Sequence, residues 1–214
     1  EVANEVEQVR ALALPANASV EVVSVEWVKE HWGEGGSDEE ELERQETIYK
    51  ALLLIPEYAS LKQAEAEWVG LIVSAVVGDK LYVVEENFKP YDAQSAKRIL
   101  AHEITHIIQG AYFFTPMLHT HDEKQAWLAL IEGDADFTAM LTVREAPAPI
   151  LAYADTGSAL PEPVLLIKRF PYEYGKRFVE ALFSNGWQRV NEAYRKPPTS
   201  TQEVIHPELY QMGK

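Results

Sequence analysis

Residues 93–110 have the sequence AQSAKRILAHEITHIIQG, which combines the apolar periodicity of a long helix with the motif H-E-x-x-H. Its leucine and isoleucines recur at three- and four-residue spacings, as the buried face of a helix requires. Asp92, directly before the stretch, is a typical N-cap, and Gly110 is a typical C-terminal stop. We therefore predict a helix over residues 93–109.

The motif places two imidazoles on one face of that helix. Side chains four residues apart on a helix lie about 5 to 6 Å from each other. His102 and His106 can therefore reach the same zinc ion. Glu103 lies one position further round the helix, close enough to contact a water on the metal without binding the metal itself. The spacing predicts two zinc ligands and one general base.

A zinc site with only two protein ligands is under-coordinated, which predicts a third ligand further along the chain. The segment IEGDAD, residues 131–136, supplies Glu132. On a helix, Asp136 would follow on the same face, where its carboxylate could accept the free N–H of a histidine ligand. Asp134 or Asp136 could also be the ligand in place of Glu132, since carboxylates are abundant in this chain. The prediction is one zinc ion per chain, with three protein ligands: His102, His106 and Glu132.

Such a site is typical of enzymes that hydrolyse peptide bonds. Zinc lowers the pKa of bound water towards ~7 and polarises a carbonyl group. Glu103 would take the proton and later pass it to the leaving amine. The oxyanion that develops needs a further donor, for which Tyr172, Tyr174 and His206 are the candidates in the later part of the chain.

Composition excludes several other classes of function. The 214 residues include 34 acidic and 19 basic residues, a formal net charge of −15, which disfavours nucleic acid as a partner. The chain has no cysteine, so disulfides, thiolate metal sites and cysteine nucleophiles are excluded. No apolar run reaches the ~18 residues of a membrane span. Because the chain begins at Glu1, we expect a processed product or a trimmed piece, and an extracytoplasmic location with a leader or anchor stays open.

The rest of the sequence predicts more helices and one hairpin, an α+β fold that is mostly helical with a small sheet. Residues 71–77 and 80–86 flank the turn Gly78-Asp79, which indicates a β-hairpin. The stretch between Pro147 and Pro171 is expected to be irregular. Further helices are expected from Ser37 or Asp38 up to Pro56, from Glu123 to about Val143 with Asp122 as cap, from Tyr172 to Phe183, from Trp187 to Arg195, and from Ser200 or Thr201 to His206.

Together these residues resemble the gluzincin metallopeptidases, in which H-E-x-x-H is followed on a later helix by a glutamate ligand, as in thermolysin. More closely, the stretch from His102 to Tyr210 is similar to a group of uncharacterised prokaryotic gluzincin-like proteins. The usual Glu-Gln order after Ser-Thr is reversed here, as Gln202-Glu203. The shared pattern comprises HExxHxxQ at 102–109, EGDA at 132–135, PYxxG at 171–175, GW at 186–187, AY at 193–194, PP at 197–198, ST at 200–201 and HPE at 206–208.

The resemblance implies a zincin-type catalytic domain over residues 71–214 that acts on peptides or proteins. We expect this domain to stand either alone or as one compact unit with residues 1–70. In that domain the hairpin would cover the active-site helix, and its edge strand would align an extended substrate. Residues 1–70 match no pattern that we can name, so they could be a pro-segment, a dimer surface or a substrate lid. The oligomeric state is not indicated by the sequence.

Three alternatives remain beside the active peptidase. The first is a zinc-stabilised binding or scaffold protein that keeps the fold without turnover. The second is a latent peptidase whose amino-terminal segment covers the cleft. In the third, the loop histidines His119 and His121 bind a second metal ion, although histidines near turns are more often solvated.

Overall fold

The computed structural model describes residues 1–32, 39–69, 71–144, 161–184 and 186–213. This part of the chain contains ten helices and three strands, so the predicted mostly helical α+β class is confirmed. In chain order the elements are α1 (Val2–Arg10), β1 (Ser19–Val23), α2 (Val25–Trp32), α3 (Glu39–Ala51), α4 (Leu61–Val69), β2 (Ser74–Val77), β3 (Lys80–Val84), α5 (Ala93–Tyr112), α6 (His121–Val143), α7 (Glu162–Phe183), α8 (Trp187–Arg195), α9 (Thr201–Ile205) and α10 (Pro207–Met212).

The three strands form one small sheet in the order β1-β3-β2. β2 and β3 are the predicted antiparallel hairpin, with Val77 paired to Lys80 across the turn. Gly78 in that turn has a φ of 65°, a left-handed conformation that glycine adopts without a Cβ clash. β1 pairs in parallel with β3, with Val22 opposite Val83. The sheet therefore includes a strand from the amino-terminal part of the chain.

α5 carries the H-E-x-x-H motif and lies against the sheet, because Leu81 and Val83 of β3 pack with Ile107 of α5. Asp92 is its N-cap, as predicted, and accepts a hydrogen bond from the backbone N–H of Ser95. The helix passes through Gly110 and ends at Tyr112, so the predicted stop at Gly110 is wrong. A glycine inside a helix costs about 1 kcal/mol relative to alanine, and a long, well-packed helix can absorb that cost.

α6 begins one residue before Asp122. Its N-cap is Thr120, which forms a capping box with Glu123, so the predicted cap at Asp122 is wrong. The carboxylate of Asp122 instead accepts hydrogen bonds from the backbone N–H and the hydroxyl of Thr201, at 3.0 and 2.6 Å. This contact ties the start of α6 to α9.

α7 differs most from the prediction. It begins at Glu162 and continues through Pro171 to Phe183, so the expected irregular structure is wrong for residues 162–171. Proline removes one backbone hydrogen bond from a helix interior. Pro171 is buried, and Phe170 and Tyr174 beside it pack on the main core. Residues 147–160 of the same expectation lie outside the described residues.

The main hydrophobic core lies between α6, α7, α8 and α9. α8 begins and ends as predicted. α9 is capped by Ser200 and ends at Ile205 with His206 as its C-cap, which agrees with the predicted end of the helix at His206. For α3, the predicted starts at Ser37 and Asp38 lie outside the described residues. The helix ends at Ala51, so the predicted end at Pro56 is wrong. Among the helices that the structure describes, none combines the length and apolar character needed to cross a membrane. The largest buried core residues are Trp127, Leu130, Phe137, Phe178, Leu182 and Tyr194.

The first helix packs directly on the motif helix. Val6 of α1 is fully buried with Ala101 and Ile108 of α5 and Ala139 of α6. The side chain of Arg10, at the end of α1, has no exposed surface. Together with β1, α1 therefore shares a packed unit with the motif, across the boundary predicted at residue 70.

Candidate metal centre

The three predicted zinc ligands meet at one point between α5 and α6. The Nε2 atoms of His102 and His106 lie 2.9 Å apart. Oε2 of Glu132 lies 3.2 Å from Nε2 of His102 and 3.4 Å from Nε2 of His106. One ligand atom from each residue lies within 4.8 Å of the others, so the group could hold a metal ion. Within the described ranges it is the one such group of three or more histidine or acidic side chains.

The donor atoms of this group fit a cation. Oε2 of Glu132 is buried and makes no hydrogen bond, although it faces two imidazole nitrogens. A buried carboxylate oxygen without a partner is unfavourable, and a metal ion would supply that partner. Two imidazoles and one carboxylate form a donor set that zinc uses in catalytic sites.

Electrostatics at the group show strong coupling between its members. Burial alone would raise the pKa of Glu132, but the adjacent His106 and His102 hold it well below its usual range. Burial alone would lower the pKa of His106, but the carboxylates of Glu132 and Glu103 outweigh that effect and raise it to about 9. Without a metal, a proton therefore supplies the positive charge between the imidazoles and the carboxylate.

Glu103 lies beside the ligand group on the side of the sheet. Its buried carboxylate accepts a hydrogen bond of 2.9 Å from the hydroxyl of Ser74 on β2. Ser74 had no predicted role, and its only signal in the sequence is a polar residue within the apolar run 71–77. The hairpin thus orients the predicted general base.

The structure separates the candidates for the oxyanion donor. Tyr172 on α7 lines the same cavity as Glu103, and its ring lies 6.2 Å from that of His102. Burial, followed by the charges of Glu132 and Glu103, raises the pKa of Tyr172 well above its usual value, so its hydroxyl stays protonated.

The other two donor candidates lie elsewhere. His206, between α9 and α10, is half exposed, and its Nδ1 lies 3.4 Å from a carboxylate oxygen of Glu208. It is not among the residues that line the cavity. The ring of Tyr174 stacks on Phe170 at 5.1 Å, as part of the packing around the main core. Of the three candidates, only Tyr172 lies beside the side chains of His102, His106 and Glu132, which we call the metal group.

Asp136 follows Glu132 on α6, but its carboxylate is directed to two cations. It accepts a hydrogen bond from Nη2 of Arg98, and its other oxygen lies 3.7 Å from Nζ of Lys176. The buried Nδ1 of His102 has no hydrogen-bond partner. The predicted hydrogen bond from a histidine ligand to Asp136 is therefore not formed, because Arg98 and Lys176 take the carboxylate.

Gln109 is the residue that contacts the far side of a histidine ligand. Its Oε1 lies 2.8 Å from Nδ1 of His106, one turn earlier on α5. Its Nε2 donates to the carbonyl oxygen of Ile131 at 3.0 Å and to Oδ2 of Asp134 at 3.2 Å. Gln109 belongs to the quoted sequence pattern but had no predicted role. A polar side chain on the buried face of α5 is the signal that could have assigned one.

The metal group opens into a cavity of about 470 Å³. Its lining includes Ser74, Ala75 and Val76 of β2, together with Phe113 and Thr115 just after α5. This volume falls within the usual range of ligand pockets, about 300 to 1,000 Å³.

Comparison of the chain with protein-family models, with curated proteins and with solved structures finds no match. Assignment of a function therefore depends on the residues and their geometry.

Proposed function

We propose that the chain is a zinc-dependent metallopeptidase of the gluzincin type, with His102, His106 and Glu132 as its zinc ligands. The observation that carries the proposal is the convergence of these three ligand atoms, with Glu103 beside them and outside the group. Three protein ligands leave a coordination position for water or substrate, as catalytic zinc sites require. When bound there, zinc would lower the pKa of water and polarise a carbonyl group.

Glu103 is the proposed general base. The hydrogen bond from Ser74 orients its carboxylate at the edge of the ligand group, where it can accept a proton from water in the cavity. The same carboxylate then donates that proton to the leaving amine. Tyr172 is the proposed oxyanion donor, because its hydroxyl stays protonated and the residue lines the cavity.

The proposed substrate is an extended segment of a peptide or protein. In the described part of the chain, β2 lies at the edge of the sheet and lines the cavity. An edge strand presents unpaired backbone N–H and C=O groups, to which an extended peptide can add as a further strand. A substrate aligned in this way would pass beside His102, Glu103 and His106.

The first experiment measures bound zinc and peptide hydrolysis on one preparation of the unmodified chain. We expect one zinc ion per chain and cleavage within a mixed peptide library. Zinc binding without cleavage would favour the second candidate, a zinc-stabilised binding or scaffold protein. The position of His206 favours that candidate, because His206 lies away from the cavity. Tyr172 is then the single predicted oxyanion donor at the site, and catalysis depends on it alone. Absence of zinc binding would exclude both functions.

Zinc affinity should depend on pH because the metal competes with a proton. The raised pKa of His106 means that a proton occupies the site up to about pH 9. Zinc must displace it, so we expect affinity to rise about tenfold per pH unit between roughly pH 6 and 8. Calorimetric titrations in buffers of different ionisation enthalpy would count the protons released, with about one per zinc expected. An affinity independent of pH would contradict the coupling between His106 and Glu132.

A further inference from the structure

Arg10, at the end of α1, forms a buried ion pair beneath the metal centre. Its Nε donates to Oδ1 of Asp134 at 2.9 Å, and its Nη2 donates to Oδ2 at 3.1 Å. Nη2 also donates to the side-chain oxygen of Asn191 at 2.7 Å, and the guanidinium lies 4.4 Å from the ring centre of Trp187. Two parallel hydrogen bonds fix the plane of the carboxylate as well as its position. A buried ion pair is often no more stabilising than apolar packing, so fold stability alone is a weak reason for this pair.

Asp134, held in place by Arg10, in turn fixes the orientation of the Gln109 side chain. Its Oδ2 accepts hydrogen bonds from the hydroxyl of Tyr194 at 2.7 Å and from Nε2 of Gln109 at 3.2 Å. Nε2 of Gln109 donates as well to the carbonyl oxygen of Ile131. The carbonyl oxygen of Ile131 and Oδ2 of Asp134 can only accept hydrogen bonds. If the side-chain amide of Gln109 were reversed, its oxygen would face these two acceptors. The amide nitrogen of Gln109 therefore points towards Asp134, and the amide oxygen points towards His106.

This orientation determines which nitrogen of His106 carries hydrogen. The amide oxygen can only accept, so Nδ1 must be the donor across their 2.8 Å contact. When the imidazole is neutral, its lone pair then lies on Nε2, the atom that faces His102 and Glu132. The second ring nitrogen of a metal-bound histidine commonly sets the tautomer in this manner.

We propose that Arg10 is a positioning residue for the zinc ligand His106 and acts through Asp134 and Gln109. The inference rests on the proposed zinc site and goes beyond it, because it makes the amino-terminal helix part of that site. The path runs from α1 through α6 to α5. It predicts that a change at Arg10, which touches none of the ligands, alters metal binding.

Three variants test this path, and thermal unfolding establishes that each one folds. Gln109→Leu removes the acceptor at His106, and Arg10→Lys keeps the charge but loses the double hydrogen bond. Arg98→Lys is the matched control, because Arg98 is equally buried and pairs with Asp136, which makes no hydrogen bond to either imidazole in the described residues. We expect the first two variants to weaken zinc binding by about 10- to 100-fold and the control to change it less than about threefold.

A further variant tests rescue. Gln109→Glu combined with Asp134→Asn exchanges the amide and the carboxylate along the path and keeps the total charge. We expect it to bind zinc more tightly than Gln109→Glu alone, in which two carboxylates face each other. Equal weakening of zinc binding by Arg10→Lys and Arg98→Lys would overturn the proposal, since it would reveal only a general loss of stability.

A second readout needs no metal. Nitrogen-15 NMR of the metal-free chain, at a pH where His106 is neutral, reports its tautomer. We expect hydrogen on Nδ1 in the unmodified chain and in Arg98→Lys, and a mixture in Gln109→Leu and Arg10→Lys. A mixture in the unmodified chain would overturn the proposal. If the chain bound no zinc, the proposed function would fail, while the tautomer would still decide whether Arg10 positions His106.

Discussion

Replacing Glu103 by glutamine is expected to slow peptide hydrolysis by about 10²- to 10⁴-fold, while zinc content stays at one ion per chain. Glutamine has nearly the same shape as glutamate and can still contact Ser74, but its amide cannot take a proton from water. The zinc ligands are untouched, because Glu103 lies outside the group of converging ligand atoms. Zinc content and initial rates of peptide cleavage, measured on the same preparation, check both halves of the expectation.

His106→Ala is the comparison variant for this experiment. It removes one of three ligands, so we expect it to lose both zinc and hydrolysis. Loss of zinc in both variants would mean that Glu103 contributes to metal binding. Hydrolysis by Glu103→Gln at the rate of the unmodified chain would show that the base has been assigned to the wrong residue. An unchanged biological activity together with retained zinc would favour the scaffold.

The convergence of His102, His106 and Glu132 could be predicted because its geometry is local to two helices. The spacing of His102 and His106 places both rings on one face of α5, whatever surrounds it. The prediction of Glu132 needed one more step, that α6 would face α5, and the structure places the carboxylate of Glu132 beside the two imidazoles. The hairpin was equally local, because its turn is encoded by Gly78-Asp79.

The residues around the ligands could not be predicted in the same way, since their partners come from distant parts of the chain. Helical spacing placed Asp136 near a histidine, but nothing local indicated that Arg98 and Lys176 would take its carboxylate. The role of Gln109 depends on Asp134, and the position of Asp134 depends on Arg10. The first half of α7, residues 162–171, was missed for a related reason, because the local preference of Pro171 was overridden by burial against neighbouring elements.

The amino-terminal 70 residues divide into parts with different relations to the site. α1 and β1 belong to the packing of α5 and the sheet, so trimming them would remove Arg10 and the partner strand of β3. Latency through a covering segment would therefore have to come from the later part, where α3 and α4 pack with Val164 of α7. A smaller cavity lined by residues of both α3 and α7 also reaches Glu132 and Tyr172. A test of latency by trimming is meaningful only if it spares α1 and β1.

Replacing Gly133 by alanine is expected to destabilise the fold by at least about 1 to 3 kcal/mol, which is the usual range for overpacking. A Cβ at this position of α6 would lie 2.8 Å from the Cα of Gly175 on α7, and closer still to its carbonyl carbon and oxygen. Gly175 is similarly placed, with its own hypothetical Cβ 2.9 Å from the carbonyl carbon of Ala129. These neighbours are backbone atoms, which cannot rotate away, so the two helices would have to separate.

Gly110→Ala is the matched control for this substitution. Gly110 also lies inside a helix, but a Cβ there would meet nothing within 4 Å. We expect the control to be neutral or to stabilise the fold by up to about 1 kcal/mol, through helix propensity and a less flexible unfolded chain. Denaturant unfolding of both variants measures the difference. A Gly133→Ala variant that unfolds at the same denaturant concentration as the unmodified chain would contradict the close approach of α6 and α7.

The same contact between helices links stability to the proposed chemistry. Glu132 directly precedes Gly133, and Tyr172 lies one turn before Gly175, so the approach of the two glycines sets the distance between a zinc ligand and the proposed oxyanion donor. Separation of α6 and α7 would move the Tyr172 hydroxyl away from the metal group. Hydrolysis by Gly133→Ala should therefore fall more steeply than zinc content, even at temperatures where the variant is folded. Zinc content and hydrolysis that fell in parallel would indicate loss of the folded state alone.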